Sequence, residues 1–175
     1  MSVRQRRRDR VGIQETGIDM KACVFSDSHG YAGNMMNVVR LEKPDAVFFL
    51  GDGDGDIAEL EAKFPELTVY AVRGNCDFRS NRESSMLVAV DGVRIYMTHG
   101  HLSDVKYDSR LEMLTSQALE AKADIALFGH THRQNLTENW GVTLLNPGSS
   151  GRGWYPGYAM LTIHDGRFTA ELRTI

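Results

Sequence analysis

Metal-capable side chains gather in five short clusters: Asp27-Ser28-His29-Gly30, Gly51-Asp52-Gly53-Asp54, Gly74-Asn75-Cys76-Asp77, His99-Gly100-His101 and Gly129-His130-Thr131-His132. Five of the six histidines lie in them, and only His164 lies elsewhere. Each cluster alone reads as an ordinary turn, in which Gly relieves the backbone and Asp or Asn bonds locally. Their joint occurrence points instead to a metal site, because five accidents would have to coincide. The donors are carboxylate, carboxamide and imidazole, with no thiolate cage. That set suits Mn, Fe, Zn, Ni or Mg better than a structural Cys₄ zinc. Seven ligands are too many for one tetrahedral ion but suit a pair sharing a carboxylate. Two metals about 3.5–4 Å apart are the usual arrangement for hydrolysing phosphate esters.

Such clusters need elements to carry them, and each follows a strand pattern. Apolar runs at Lys21–Ser26, Ala46–Leu50, Thr68–Val72 and Asp124–Phe128 predict buried strands. Met86–Val90 and Val93–Met97 flank Asp91-Gly92, a strong hairpin signal, and the second arm runs into His99. Tyr158–Ile163 and Phe168–Leu172 flank Asp165-Gly166 in the same way, and Val142–Leu145 is a further strand. Helices are expected over Asn34–Glu42, stopped by Pro44, over Ile57–Phe64, and over Arg110–Lys122 with Asp108 or Ser109 as N-cap. Strands alternating with helices, plus two hairpins, predict an α/β fold of mixed sheets with helices on their outer faces. Ligands bind at the carboxyl ends of strands in open sheets, so five such ends would meet at one rim.

The chain of 175 residues suits one domain with a single substantial core. Its first 19 residues hold five arginines and three acids. The remainder carries 15 basic and 20 acidic residues, a net charge of −5. The expected division is a basic, disordered tail over 1–19 and one domain over 20–175. An acidic body offers no footprint for a long nucleic acid. No apolar run approaches the ~20 residues of a membrane span, and no signal peptide is evident, so a cytoplasmic location is the default. Cys23 and Cys76 do not read as a disulfide framework. The oligomeric state stays open, a homo-oligomer included.

The five clusters, in this order, resemble the metallophosphoesterase (calcineurin-like phosphoesterase) superfamily. Gly74-Asn75-Cys76-Asp77, Thr98-His99-Gly100-His101 and Asn146-Pro147-Gly148-Ser149 are similar to the small phosphodiesterases of the YfcE type. The retromer subunit Vps29 belongs to the same branch. The resemblance implies a four-layer α/β/β/α sandwich of two mixed sheets flanked by helices. It also implies that Asp27, His29 and His132 hold one metal, that Asn75, His99 and His130 hold a second, and that Asp52 bridges both. Two departures stand out. Gly55 replaces the second acid of the Gly-Asp-x-x-Asp pattern, with acids at Asp54 and Asp56 instead, a change that touches only a supporting residue. Cys76 stands where many relatives have a His that protonates the leaving group.

The implied activity is hydrolysis of a small phosphate ester, a phosphodiester above all, by a hydroxide activated by two divalent cations, Mn first among them. Candidates for the proton donor are Asp77, His101 and Cys76. Asp77 has an alternative role, fixing a ligand imidazole. Cys76 has another, as a small side chain filling a gap. Asn75 and Arg133 are the expected substrate contacts, and the Gly-rich Gly148–Gly157 stretch is a candidate wall of the site. The alternative function is a non-catalytic, metal-binding scaffold of the Vps29 kind.

Overall fold

The computed structural model describes residues 19–175. The elements run in the order β1 (Met20–Phe25), α1 (Gly33–Glu42), β2 (Ala46–Phe49), α2 (Asp54–Lys63), β3 (Thr68–Ala71), β4 (Ser85–Val90), β5 (Val93–Thr98), α3 (Glu112–Glu120), β6 (Ile125–Leu127), β7 (Gln134–Asn139), β8 (Val142–Pro147), β9 (Gly157–His164) and β10 (Arg167–Thr174). The expected tail lies outside the described residues except for Asp19, which is exposed and pairs with His164 at 3.3 Å. Among the described residues no helix is long and apolar enough to cross a membrane.

Side-chain alternation along the strands makes the layers. In β1, Ala22 and Val24 point to one face and Cys23 and Phe25 to the other; in β2, Phe48 and Val47 with Phe49 divide likewise. The strands form two five-stranded sheets, ordered β10-β9-β1-β2-β3 and β4-β5-β6-β8-β7. Val24, Phe48, Ile95, Met97, Leu127, Leu145 and Leu161 fill the space between the sheets. The outer face of the first sheet packs Phe25 and Phe49 against Met35 and Val39 of α1 and Ile57 and Leu60 of α2. The outer face of the second packs Ala126, Phe128 and Leu144 against Leu114 and Ala118 of α3. The result is the expected α/β/β/α sandwich. Each of these fully buried large side chains contributes on the order of 1.5–3 kcal/mol by leaving water.

Three hairpins close on pairs of residues with positive φ: Asp91-Gly92 (44° and 81°), Trp140-Gly141 (49° and 82°) and Asp165-Gly166 (46° and 70°). This is the type I′ geometry that matches strand twist. The middle one joins β7 to β8 and was not anticipated. β7 reads Gln-Asn-Leu-Thr-Glu-Asn, lies at a sheet edge and is mostly exposed, so it lacks the apolar alternation that marks a strand. Two helix starts also differ from expectation. α2 begins at Asp54, not Ile57, because the backbone N–H groups of Gly53 and Asp54 donate to a distant carboxylate, Asp77 (2.9 and 3.0 Å). α3 begins at Glu112, after Leu111 in the left-handed region (φ 54°). Asp108 still serves its start, accepting from Met113 N–H at 3.2 Å.

Candidate metal centre

β1, β2 and β3 are parallel, as are β5 and β6, so the loops that leave their carboxyl ends share one rim. There the chain folds tightly. Asp27, His29, Asp52, His130 and His132 all have positive φ, between 46° and 67°. Such a conformation costs a non-glycine residue about 1–3 kcal/mol, and the surroundings must hold it. Backbone bonds do so: Asp27 N–H to Gly51 O (2.9 Å), His29 N–H to Asp52 O (3.0 Å) and Gly129 N–H to His99 O (3.0 Å). Two glycines leave room for the carboxylates. A Cβ on Gly74 would collide with Asp52 Oδ1, and one on Gly129 with Ser26 Oγ and Asp27 Oδ2.

The side chains converge in two triads whose ligand atoms lie within 4.8 Å of one another: Asp27, His29 and His132, and Asp52, His99 and His130. Asp27 is fully buried. Its Oδ2 accepts from Ser26 Oγ–H (2.5 Å) and His130 N–H (3.0 Å), while Oδ1 has no hydrogen-bond partner. Three imidazole Nε2 atoms face that oxygen: His132 at 3.1 Å, His29 at 3.7 Å and His99 at 3.9 Å. A buried, unpartnered carboxylate oxygen is costly unless something positive meets it. In the second triad, His99 Nδ1–H donates to Leu50 O at 2.7 Å. That bond turns Nε2 toward Asn75 Oδ1 (3.1 Å) and Asp52 Oδ2 (3.3 Å). Asp52 Oδ1 accepts from Cys76 N–H at 2.8 Å, and its Oδ2 also lies 3.9 Å from His29 Nε2. Asp52 therefore faces histidines of both triads. The donor set and the orphaned oxygen fit divalent cations held by oxygen and imidazole.

The electrostatics follow from burial and from charge opposed to charge. Burial favours neutral Asp27, but His132, His99 and Ser26 outweigh it and hold its carboxyl below the usual range. Asp52 is lowered likewise, burial being overcome by His99 and the Cys76 N–H. Burial works against charge on His99, yet Asp52 and Asp27 raise its pKa; Asp27 raises that of His132. Burial, His99 and Lys106 push His130 down to about 4. Carboxylates kept ionised beside imidazoles suit a cation site.

The remaining expected residues divide. Asp77 touches no imidazole. Its Oδ2 accepts from the N–H groups of Gly74 (2.7 Å) and Asp52 (2.8 Å), and its Oδ1 from those of Gly53 and Asp54. Cys76 is exposed, and its Sγ lies within 4.8 Å of ligand atoms of His29 and Asp52. Burial and Asp52 raise its thiol pKa. The His101 ring lies tilted at 54° to that of His99, their centroids 5.4 Å apart; its Nδ1 is buried without a partner among the described residues, and its pKa is lowered by burial and by His99. Arg133 is exposed and lines a cavity beside His132. In the Gly148–Gly157 stretch, Ser149 Oγ–H donates to Asp27 O (2.7 Å) and Ser150 N–H to Ser26 O (2.9 Å), while Trp154 and Tyr155 project into solvent.

Two residues noted in the sequence, Asp56 and Asn146, take supporting roles whose partners the sequence did not show. Ser28 Oγ–H (2.5 Å) and Gly30 N–H (2.8 Å) both donate to Asp56, which pins the His29 turn. Asn146 Nδ2 donates to Gly129 O (2.9 Å) and Thr131 Oγ1 (3.0 Å), bracing the turn that carries His130 and His132. Asp56 lies four residues after Asp52 and Asn146 ends a strand, positions that carry a weak signal without the fold.

Comparison with known proteins places the site in context. A family model for the calcineurin-like phosphoesterase superfamily domain matches residues 20–166. YsnB of Bacillus subtilis (strain 168), named a probable metallophosphoesterase, is 33% identical over 131 residues, 74% of this chain and 75% of its own. A phosphodiesterase of Methanocaldococcus jannaschii is 25% identical over 163 residues, 83% of this chain and 93% of its own. A solved structure from Streptococcus pneumoniae TIGR4, described as a predicted phosphoesterase, superposes with a TM-score of 0.73 at 30% identity, covering 90% of this chain and 91% of its own. Vps29 from Entamoeba histolytica, as a D62A mutant, shares the fold at 21% identity and a TM-score of 0.70, covering 89% and 99%. This chain belongs to the calcineurin-like phosphoesterase superfamily.

Proposed function

We propose that the protein is a phosphodiesterase that works with two divalent metal ions, Mn foremost. The observation that carries this reading is the unpartnered, buried Oδ1 of Asp27 facing three imidazole nitrogens, beside a second triad that shares Asp52. Asp27, His29 and His132 would hold one ion and Asn75, His99 and His130 the other, with Asp52 between them. Bound divalent ions supply Lewis acidity, which lowers the pKa of water and offsets charge on phosphate oxygens.

The chain's own groups set the geometry. The Leu50 carbonyl fixes the His99 tautomer, and the Cys76 N–H fixes Asp52 Oδ1. His29 and His132 are 39% and 46% exposed, so the rim is open enough for an ester with two arms. The phosphodiesterase relative from Methanocaldococcus jannaschii supports the same substrate class. The four N–H bonds to Asp77 commit both of its oxygens, so we assign it to positioning Asp52 and α2. Cys76 and His101 are left to protonate the leaving oxygen, and Asn75 and Arg133 to meet the substrate. A Vps29-like scaffold gains support from the shared fold alone.

The test is hydrolysis of an activated aryl phosphodiester and the matching monoester with Mn, Ni, Mg or Zn and with a chelator. Mn-stimulated diester cleavage exceeding monoester cleavage supports the reading. Monoester cleavage without diester cleavage, or no metal-dependent turnover, contradicts it.

A further inference from the structure

Beside the turn that carries His130 and His132, a cavity of about 560 Å³ opens between the 105–111 loop and the start of β7. Its volume lies within the range of small-molecule sites. The buried side chains of Val105, Leu111 and Phe128 contribute apolar surface to it, and exposed Tyr107 stands at its edge. Lys106 and Arg133 also line it, one from each wall. Among the described residues neither Lys106 nor Arg133 pairs with a carboxylate, a state they share with most of the described lysines and arginines; what sets these two apart is that they face one cavity. Among the described residues Asp108 is the one acid that lines the cavity. Its carboxylate accepts the N–H groups of Arg110 (3.1 Å) and Met113 (3.2 Å), so it is occupied at the start of α3.

We infer that this cavity is a subsite for a nucleoside arm of the substrate, where Lys106 and Arg133 hold a second phosphate that is not the one cleaved. The inference rests on the phosphoesterase reading of the adjoining centre. Two unpaired cations beside an apolar floor fit a group with both a flat apolar part and an anionic end. Base stacking on an aromatic ring tolerates any base, and an exposed Tyr is suited to it. Arg presents a planar fork to phosphate and Lys a mobile point charge. The reacting phosphate belongs to the metal ligands, so cations in a separate cavity call for a separate anion.

The experiment is calorimetric titration of the full chain, with Mn present, by adenosine 3′,5′-bisphosphate and by the 3′- and 5′-monophosphates. The bisphosphate should bind at least about ten-fold tighter than either monophosphate, as one added charge-assisted contact implies. In the Lys106→Ala/Arg133→Ala double variant that advantage should vanish, and Lys106→Arg should keep it; melting temperatures establish that the variants are folded. An equal affinity for mono- and bisphosphate, or an advantage that survives the double substitution, overturns the inference. Aryl diester hydrolysis by the wild type, read separately, tells a failure of this subsite from a failure of the phosphodiesterase reading.

Discussion

The carboxylate of Asp77 accepts a hydrogen bond from the backbone N–H of Asp52 at 2.8 Å. The same carboxylate binds the N–H groups of Gly53, Asp54 and Gly74. One side chain thus ties the loop after β3 to the loop after β2 and starts α2. Charge-assisted bonds of this kind contribute about 1.5–3 kcal/mol each, though not additively. Asp77→Asn keeps the shape but offers one acceptor oxygen where two are needed. We expect about 3 kcal/mol or more of stability to be lost, with a lower Tm and weaker metal retention. If Asp77 were instead the proton donor, the fold would be barely affected and the basic limb of the pH–rate profile would disappear.

The proton donor has its own test. An alkoxide leaving group needs a proton, whereas p-nitrophenolate departs well without one. His101→Ala and Cys76→Ala, made separately, should divide on this property. The variant lacking the donor should lose on the order of 10²-fold or more on an alkyl diester, the usual worth of general acid catalysis, and much less on the aryl diester. Equal losses on both substrates in both variants would assign the proton to solvent.

Gly74→Ala probes how tightly the loops are fitted. The added methyl would meet Asp52 Oδ1 and the Asp52 backbone N, neither free to move, since Cys76 N–H and Asp77 hold them. Overpacking of this sort costs about 1–3 kcal/mol. Metal content should fall with it, because the displaced group is the carboxylate proposed to serve both ions. Unchanged metal content at a reduced Tm would show that Asp52 is not the critical ligand.

Away from the rim, Glu42 at the end of α1 accepts from Tyr158 O–H (2.7 Å) and Arg173 Nη1–H (2.9 Å), joining the helix to β9 and β10. The Tyr158 bond holds the Glu42 carboxyl below its usual range, with Arg173 adding to it and partial burial working against it. A depressed carboxyl stabilises the fold above its unfolded pKa of about 4.3, and the contribution is lost as pH falls through the lower folded value. Glu42→Gln should therefore cost about 1 kcal/mol at pH 7, and denaturant titrations of variant and wild type should converge below pH of about 4. A constant gap across that range would contradict the assignment.

Much of this was legible in the chain before the fold. The apolar runs read at Ala46–Leu50 and Asp124–Phe128 hold strands because their apolar residues are buried on both faces, and the Asp-Gly turns at 91–92 and 165–166 set two hairpins. β7 escaped because an exposed edge strand needs no apolar face, and its turn, Trp140-Gly141, lacks the Asn or Asp that usually marks type I′. In the site, the types of the metal-capable residues and their places after strands were readable. What Asp77 touches was not, because its four partners are backbone groups in two loops that only folding brings together. Asp56 and Asn146 could be picked out in the sequence, but the groups they hold under the His29 turn and the His130–His132 turn could not, for the same reason.

Asp52 is the residue on which a two-metal centre depends most. It is the carboxylate whose Oδ2 faces His99 and His29, members of different triads. Asp52→Asn preserves its shape and removes its charge, while the apolar core does not depend on it. Elemental analysis of purified, Mn-loaded protein is the direct measurement, with His164→Ala, far from the rim, as the matched control. About two ions per chain are expected in the wild type and the control, the number a two-metal centre requires, and a clear fall in Asp52→Asn with the Tm largely kept. If Asp52→Asn kept its full complement of metal and its full hydrolysis, the two-metal centre would be wrong and a single-metal or scaffold role would take its place.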